Sequence, residues 1–277
     1  MSERLTIPRI VWTLWLQGLD RAPDVVSRCI ESWRRWNPTW DIVVLDQRTL
    51  HDVAELPRLD PRTHVTRAAL SDIARINLLA DRGGIWADAT CLCSMPLDEW
   101  LPRYATGGFF AFRSPGRDRY IASWFLATAP RSAIAAAYRD AVNEYWTTNL
   151  FRRNTASRAF VKAVAPILAT NRNLPHLWFS RPIRTKARVY PYYWFHYLFG
   201  EVLRERPDIR AAWDAVPVLT ADGPHLVQRV GMFKPPTHEL RQAVEERAYP
   251  MYKLHWKFED RALRAGTSLD YVLSEFG

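Results

Sequence analysis

Residues 83–90, GGIWADAT, contain two glycines, a short apolar run and then a lone carboxylate, Asp88. Alternate side chains of a strand share a face, so Trp86, Asp88 and Thr90 point to one side and small or apolar residues to the other. The small, apolar side suits a packed interior. A face that carries a large aromatic ring, a carboxylate and a hydroxyl is more typical of a ligand site.

Asp72 and Arg75 lie upstream of this segment, on a predicted helix. A spacing of three residues places them about 60° apart around the helix axis, away from its apolar stripe. On spacing alone, the ordinary interpretation is a surface ion pair. The order helix, two glycines, then a strand that ends near Asp88 favours a shared site instead.

Residues 253–257, KLHWK, gather two lysines, a histidine and an indole N–H, all of which can contact a diphosphate. His255 is either structural or a metal or phosphate contact, and Trp256 and Lys257 are similar candidates. Residues 222–226, DGPHL, are either a site loop or a simple proline-initiated helix. Cys91 and Cys93 lack zinc-site spacing and are expected to be buried in a strand.

The elements that must position these residues follow an α/β pattern. Residues 7–16 and 40–46 are predicted strands, and a helical pattern from about 24 to 36 lies between them and ends at Asn37 and Pro38. A second helix is predicted over 66–82, followed by a strand over 85–93. The repeated unit indicates an α/β sheet.

The chain beyond residue 100 adds predicted strands at 107–113 and 123–128 and a predicted helix at 131–146, before a more helical and basic stretch at 151–200. No linker or repeat divides the sequence. We therefore expect one domain over residues 1–277, with a core at about 7–130 and a helical and C-terminal elaboration at about 131–277.

The composition of the chain limits the classes of binding partner and the cellular compartment that we expect. The net charge of +9 is compatible with an anionic partner, but no nucleic-acid-binding signature is present. Three cysteines, no apolar N-terminal stretch in MSERLTIPRI and no run long enough for a membrane helix predict a cytoplasmic protein. Residues 180–199 join a basic stretch to an aromatic one. They form either a site for the membrane interface or a lipid-linked acceptor, or an aromatic helix packed on the core.

Residues 71–90, SDIARINLLADRGGIWADAT, resemble the glycosyltransferases of family 32 and the related capsular polysaccharide synthesis proteins. The pattern of these families is S-D-x-x-R, a leucine-rich turn, Gly-Gly, an aromatic residue and Asp-x-Asp or Asp-Ala-Thr. Residues 7–18 and 32–46 are similar to the opening of that fold, and residues 251–257 to its closing motif. Residues 101–250 show no such similarity.

The resemblance implies a GT-A type, Rossmann-like nucleotide-sugar-binding sheet. The implied activity is a retaining transfer of a hexose from a nucleotide-sugar, UDP before GDP, to a glycan or lipid-linked acceptor in bacterial capsular or exopolysaccharide synthesis. It also implies that Trp12 stacks on the base, that Trp86 lies beside the ribose, and that Asp72 and Arg75 hold sugar hydroxyls. The resemblance further implies that Asp88 contacts the ribose or a metal-bound water.

A departing nucleoside diphosphate gains negative charge, which a divalent cation such as Mn²⁺ or Mg²⁺, or basic side chains, must stabilise. Asp88 and His255 are the candidate metal ligands, and Thr90 stands where the fuller pattern has a second Asp. Two other hypotheses stay open. A non-catalytic nucleotide-sugar or glycan-binding protein would bind without turnover, and a charge-driven membrane or nucleic-acid binder would depend strongly on salt.

Overall fold

The computed structural model describes residues 6–258 and 265–277. A mixed five-stranded sheet in the order β2-β1-β3-β6-β5 lies at its centre, and β4 and β7 form a small second sheet. The strands of the described residues are β1 (Ile10–Leu14), β2 (Asp41–Leu45), β3 (Gly84–Ala87), β4 (Cys91–Cys93), β5 (Phe109–Arg113), β6 (Ile121–Thr128) and β7 (Met251–Lys253).

Helices flank the sheet and make up most of the C-terminal half. The α-helices of the described residues are α1 (Asp24–Trp36), α2 (Leu50–Val53), α3 (Arg67–Arg82), α4 (Leu97–Tyr104), α5 (Ala133–Thr147), α6 (Thr155–Leu168), α7 (Trp194–Glu205), α8 (Pro207–Asp214), α9 (Leu226–Val230), α10 (His238–Glu245) and α11 (Ser268–Phe276). The expected α/β class, with a Rossmann-like sheet and a helical elaboration, is confirmed.

The three strands β2, β1 and β3 are parallel and lie side by side; β6 is antiparallel to β3, and β5 is antiparallel to β6. The carboxyl ends of β1, β2 and β3 therefore meet at one edge of the sheet, where Trp15 follows β1, Asp46 follows β2 and Asp88 follows β3. Ligands of open α/β sheets bind outside this edge. The fold thus brings Asp88 to the edge at which such a sheet carries its site.

Local signals explain the boundaries of the helices that hold the site. The hydroxyl of Thr66 accepts from Ala69 N–H at 3.1 Å and caps the start of α3. Asn37 follows the last residue of α1, and its side-chain oxygen accepts from Leu97 N–H at 2.7 Å. The predicted helices at 24–36 and 66–82 are confirmed to within a residue.

The strand expected over residues 85–93 is wrong as a single element. β3 stays paired with β1 and β6 only to Ala87, and a turn over residues 88–90 then carries the chain into the second sheet. Cys91 N–H donates to Asp88 O at 2.8 Å and closes that turn. Asp88 and Thr90 consequently belong to a turn, where side chains are free to converge on a ligand.

The aromatic residues of 191–200 lie mostly within α7, which packs inward. Trp194, Phe195 and Phe199 are buried, and the Tyr138 hydroxyl donates to Phe195 O at 2.6 Å. Of the two interpretations offered for residues 180–199, the helix packed on the core is confirmed for this part. None of the helices in the described ranges has the length and apolarity to cross a membrane. Residues 1–5, which belong to the stretch searched for a secretory signal, lie outside those ranges.

Gly84 starts β3 in a conformation that other residues rarely adopt, with φ at 94°. A Cβ at this position would lie 2.6 Å from Ile10 Cγ2 and 2.9 Å from Ile10 O. We expect Gly84→Ala to lower the free energy of unfolding by at least about 1–2 kcal/mol, the cost of a left-handed alanine. Gly107→Ala is the matched control, because Gly107 has no such φ and no atom within 4 Å of its added Cβ. Equal urea midpoints for the two variants would contradict this prediction.

Candidate functional site

Four charged side chains and a hydroxyl converge at the carboxyl edge of the sheet. Arg75 Nη2 lies 3.1 Å from Asp72 Oδ1 and 3.2 Å from Asp88 Oδ1. Lys253 Nζ lies 3.1 Å from Asp88 Oδ2 and donates to Thr90 Oγ1 at 2.7 Å. We call these five residues the edge cluster. Asp88 is its centre, because both of its oxygens face a cation.

Arg75 is fixed from several sides. Its guanidinium donates to Ser71 Oγ at 3.2 Å and to the carbonyl oxygen of Ser123, and it lies 5.1 Å from the centroid of the Trp86 ring. Its side chain is only 5% exposed. The interpretation of Asp72 and Arg75 as a surface ion pair is therefore wrong, because α5, β6 and α7 cover this face of α3.

Asp88 is the most open charged member of the edge cluster, with 28% of its side chain exposed. Its backbone N–H donates to Trp124 O at 2.8 Å, and the Trp86 indole donates to its Oδ1 at 3.0 Å. Trp86 therefore supports the carboxylate from beneath. A ligand approaching the edge meets Asp88 before it meets Asp72 or Arg75.

Lys253 reaches the edge cluster from the other end of the sequence through the small second sheet, where it pairs with Cys91. Residues 222–225, for which a site loop or a proline-initiated helix was expected, form a turn before α9 and support Lys253, whose N–H donates to Pro224 O at 2.7 Å. In the same loop, the His225 ring lies edge-on to Trp124 with a centroid distance of 5.6 Å. This loop lies directly behind the site.

The charges of the cluster shift one another's titration. Burial raises the pKa of Asp72 to about 7, since Arg75 offsets this only in part and the Asp88 carboxylate adds to it. Burial alone would also raise the pKa of Asp88, but Lys253, Arg75 and the Trp86 indole hold it below its ordinary value. For Lys253, burial is outweighed by the attraction of Asp88, and its pKa is raised. Near neutral pH, Asp88 and Lys253 are thus charged while Asp72 is close to half-protonated.

The raised pKa of Asp72 predicts a pH effect on stability. The folded chain binds this proton more tightly than the unfolded chain, whose Asp72 has the ordinary pKa of 3.8. Its contribution is therefore fully present below about pH 4 and is lost as the pH rises toward 7. Asn mimics the protonated acid. We therefore expect the free energy of unfolding of Asp72→Asn, relative to that of wild type, to increase by on the order of 2 kcal/mol as the pH rises from 5 to 8. Urea unfolding at the two pH values measures this, and a surface variant, Asp81→Asn, is the control. A difference between Asp72→Asn and wild type that does not change with pH would contradict the prediction.

Two tryptophans expected to contact the nucleotide lie inside the sheet instead. Trp12 is 5% exposed and donates through its indole to Gly83 O at 3.0 Å, and Trp86 is buried beside it across the β1–β3 pair. The burial of both rings argues against their assignment to the base and the ribose. Trp15, one residue past β1, lies at the carboxyl edge and meets Trp256 edge-on at 5.2 Å. The indole N–H of Trp15 is buried and has no hydrogen-bond partner among the described residues.

The remaining residues of the closing motif stand apart from the edge cluster. The His255 ring lies against Phe233 and Phe258, at centroid distances of 6.1 and 5.7 Å. Lys257 is exposed. Among the described contacts, neither of these two side chains touches Asp88. Burial and the neighbouring lysines lower the pKa of His255, which is therefore neutral at pH 7.

The edge cluster does not fit a direct metal site built from Asp88 and His255. Lys253 and Arg75 already face the two oxygens of Asp88, and a divalent cation there would meet two positive charges. Within residues 6–258 and 265–277, no group of three or more His, Cys, Asp or Glu side chains could hold a metal ion. Cys91 and Cys93 are free thiols in β4, as expected, and burial raises the pKa of each to about 12.

Comparison with known proteins assigns the chain to a family. Residues 2–154, more than half of the chain, match the family model described as capsular polysaccharide synthesis protein. The chain belongs to the family of capsular polysaccharide synthesis proteins. The matched region includes Trp15, Asp72, Arg75 and Asp88 but ends well before Lys253.

The other comparisons add less. No curated protein sequence matches the chain significantly. Among solved structures, a chain described as PaToxG Glycosyltransferase aligns with 98% of this chain and 86% of its own length, at 11% sequence identity and a TM-score of 0.39.

Proposed function

We propose that this protein is a GT-A type glycosyltransferase that moves a hexose from a nucleotide-sugar to a glycan or lipid-linked acceptor in surface polysaccharide synthesis. The observation that carries the proposal is the edge cluster itself. At the carboxyl edge of the sheet, the Asp72–Arg75 and Asp88–Lys253 ion pairs, each 3.1 Å long, are joined by a 3.2 Å contact between Arg75 and Asp88. Membership of the capsular polysaccharide synthesis family supports the biological role.

The donor would lie along this edge. Trp256, which is 40% exposed, would receive the base, and Trp15, edge-on to it at 5.2 Å, would support Trp256 from the protein side. Asp88 would accept hydrogen bonds from the ribose, and Lys253 would contact the diphosphate. Asp72 and Arg75, deepest in the cluster, would hold hydroxyls of the sugar. UDP is the first base to test and GDP the second.

The cluster supplies what the departing group requires. When the bond between the sugar C1 and the diphosphate oxygen breaks, its electron pair stays on that oxygen and the diphosphate gains negative charge. Lys253 and Arg75 would stabilise this charge, because fixed cations in a partly dry site interact strongly with it. The acceptor hydroxyl oxygen would form the new bond to C1, and its proton would pass to the departing diphosphate oxygen. We propose that both events take place on one face of the sugar, as the family resemblance implies, which retains the configuration and requires no protein nucleophile.

This proposal places the enzyme in the cytoplasm and, for a lipid-linked acceptor, at the inner face of the membrane. Calorimetric titration with UDP, GDP and dTDP, each against its uncharged nucleoside, tests the donor site. We expect one diphosphate to bind with a dissociation constant between about 1 µM and 1 mM, the usual range for enzyme substrates. Its nucleoside should bind more weakly, because it leaves Lys253 without a charged partner from the ligand. No binding of any of the three diphosphates would overturn the proposal.

A further inference from the structure

The positive charge of this protein is concentrated in one segment. Residues 151–188 contain nine Arg and Lys residues and no Asp or Glu, so the rest of the chain has as many acidic as basic residues. Surface cations of globular proteins usually pair with nearby carboxylates, and many do so elsewhere in this chain. None of these nine cations forms an ion pair with any residue that the structure describes. The segment therefore presents uncompensated charge.

Helix α6 gives the same segment an apolar surface that faces outward. Only Ser157 and Leu168 of its 14 residues are buried. Its exposed apolar residues follow a spacing of three and four and form one stripe. The stripe consists of Ala156, Ala159, Phe160, Ala163 and Ile167. Ile167 is 64% exposed. By the helical count, Lys162 borders the stripe next to Ala159, and Arg158 lies farther round the same helix. An amphipathic helix normally turns such a stripe toward the core.

The basic part of this surface extends toward the edge cluster. A groove of about 690 Å³ is lined by Arg152, Arg153, Arg158 and Lys162 of the segment and by Ala69 of α3. Ala69 lies one helical turn before Asp72. A surface bound to the segment would therefore lie close to the site.

We propose that residues 151–188 dock on an anionic lipid bilayer, with the α6 stripe entering the headgroup region and the unpaired cations contacting acidic headgroups. Cations beside an outward apolar stripe are the features of an interfacial helix. A second copy of the chain is a poor occupant, because two surfaces of the same positive charge repel each other. Nucleic acid would use the cations but would leave the apolar stripe exposed. The interface is thus α6, not the aromatic helix α7, whose rings are buried.

Sedimentation with vesicles tests this proposal. We expect the protein to bind vesicles containing phosphatidylglycerol and not vesicles of phosphatidylcholine alone, and to be released by salt. Arg158→Gln with Lys162→Gln should weaken partitioning about tenfold or more, from the attraction of each cation to an acidic membrane. Ile167→Ser should weaken it without changing the salt dependence. Arg28→Gln with Arg34→Gln on α1 is the charge-matched control and should bind like wild type.

Binding that is absent, that is equal for the two vesicle types, or that falls equally in the control variant would overturn the proposal. Loss of binding in Arg158→Gln with Lys162→Gln, but not in Ile167→Ser, would also overturn it, because simple polyanion binding explains that pattern. Vesicle binding requires no turnover. A negative result would therefore leave the donor-site titration unaffected, and a failed titration would leave the vesicle result unaffected.

Discussion

Asp88→Asn is expected to reduce kcat for sugar transfer by about 100- to 1000-fold, the size of effect seen when one preorganised electrostatic contact is removed from an active site. The amide keeps the shape of the side chain but removes the charge that both Lys253 and Arg75 face. Those two cations would then reorient, and the donor would lose its most open acceptor. The rate of nucleoside diphosphate release at saturating donor measures the effect.

Asp98→Asn provides a closely matched control. Like Asp88, Asp98 accepts from an arginine and from an indole, at 2.7 Å from Arg9 and 3.2 Å from Trp40, but it lies on the surface. Its variant should keep wild-type activity. Equal activity of the two variants, with both folded by circular dichroism, would remove Asp88 from the mechanism.

Lys253→Met is expected to reduce kcat by about 100-fold or more, because the leaving diphosphate loses a fixed positive charge. Methionine retains most of the volume of the side chain, so packing of β7 against β4 should survive. The same substitution at Lys257 should have little effect, since Lys257 is exposed and has no described contact with the edge cluster. Steady-state kinetics of both variants at several donor concentrations separate kcat from KM.

The closing motif and the structure point to different lysines as the contact for the diphosphate. The sequence favoured Lys257 as a diphosphate contact, whereas the structure places Lys253 at 3.1 Å from Asp88. A large loss of activity in Lys257→Met, with Lys253→Met near wild type, would show that the donor lies elsewhere along the closing motif.

Much of the fold could be predicted because its signals are local. The 3.6-residue periodicity of α1 and α3, the capping Thr66 and the two glycines after α3 specify helices and their ends within a few residues of sequence. The order of Asp72, Arg75 and Asp88 along this helix, turn and strand was likewise visible. Their convergence follows from a single αβ unit, which the sequence describes well.

The rest of the site depends on contacts between distant parts of the chain. Lys253 reaches Asp88 only through the pairing of β4 with β7, a register between residues 158 to 162 positions apart that no local pattern specifies. The alternation of β3 predicts which residues share a face with Trp86, but not that α3 and its neighbours bury that face. The burial of Trp12 could not be predicted for the same reason. Trp15 lies at the carboxyl edge of the sheet only because β1 ends at Leu14.

The absence of acids in residues 151–188 was readable from the sequence, but its meaning was not. The periodicity of α6 identifies an apolar stripe without showing whether the stripe faces the core or the solvent. Only the packing of the surrounding elements shows that it faces outward.

Whether this protein is a sugar transferase is decided by the release of free nucleoside diphosphate from UDP-, GDP- and dTDP-sugars by the wild-type protein, with and without Mn²⁺ and with candidate acceptors. We expect saturable turnover of one donor, a rate that falls in Asp88→Asn and Lys253→Met, and full activity in Lys257→Met. Saturable binding of a donor without release of its diphosphate under any of these conditions would contradict the claim and identify the edge cluster as a site of nucleotide-sugar recognition alone.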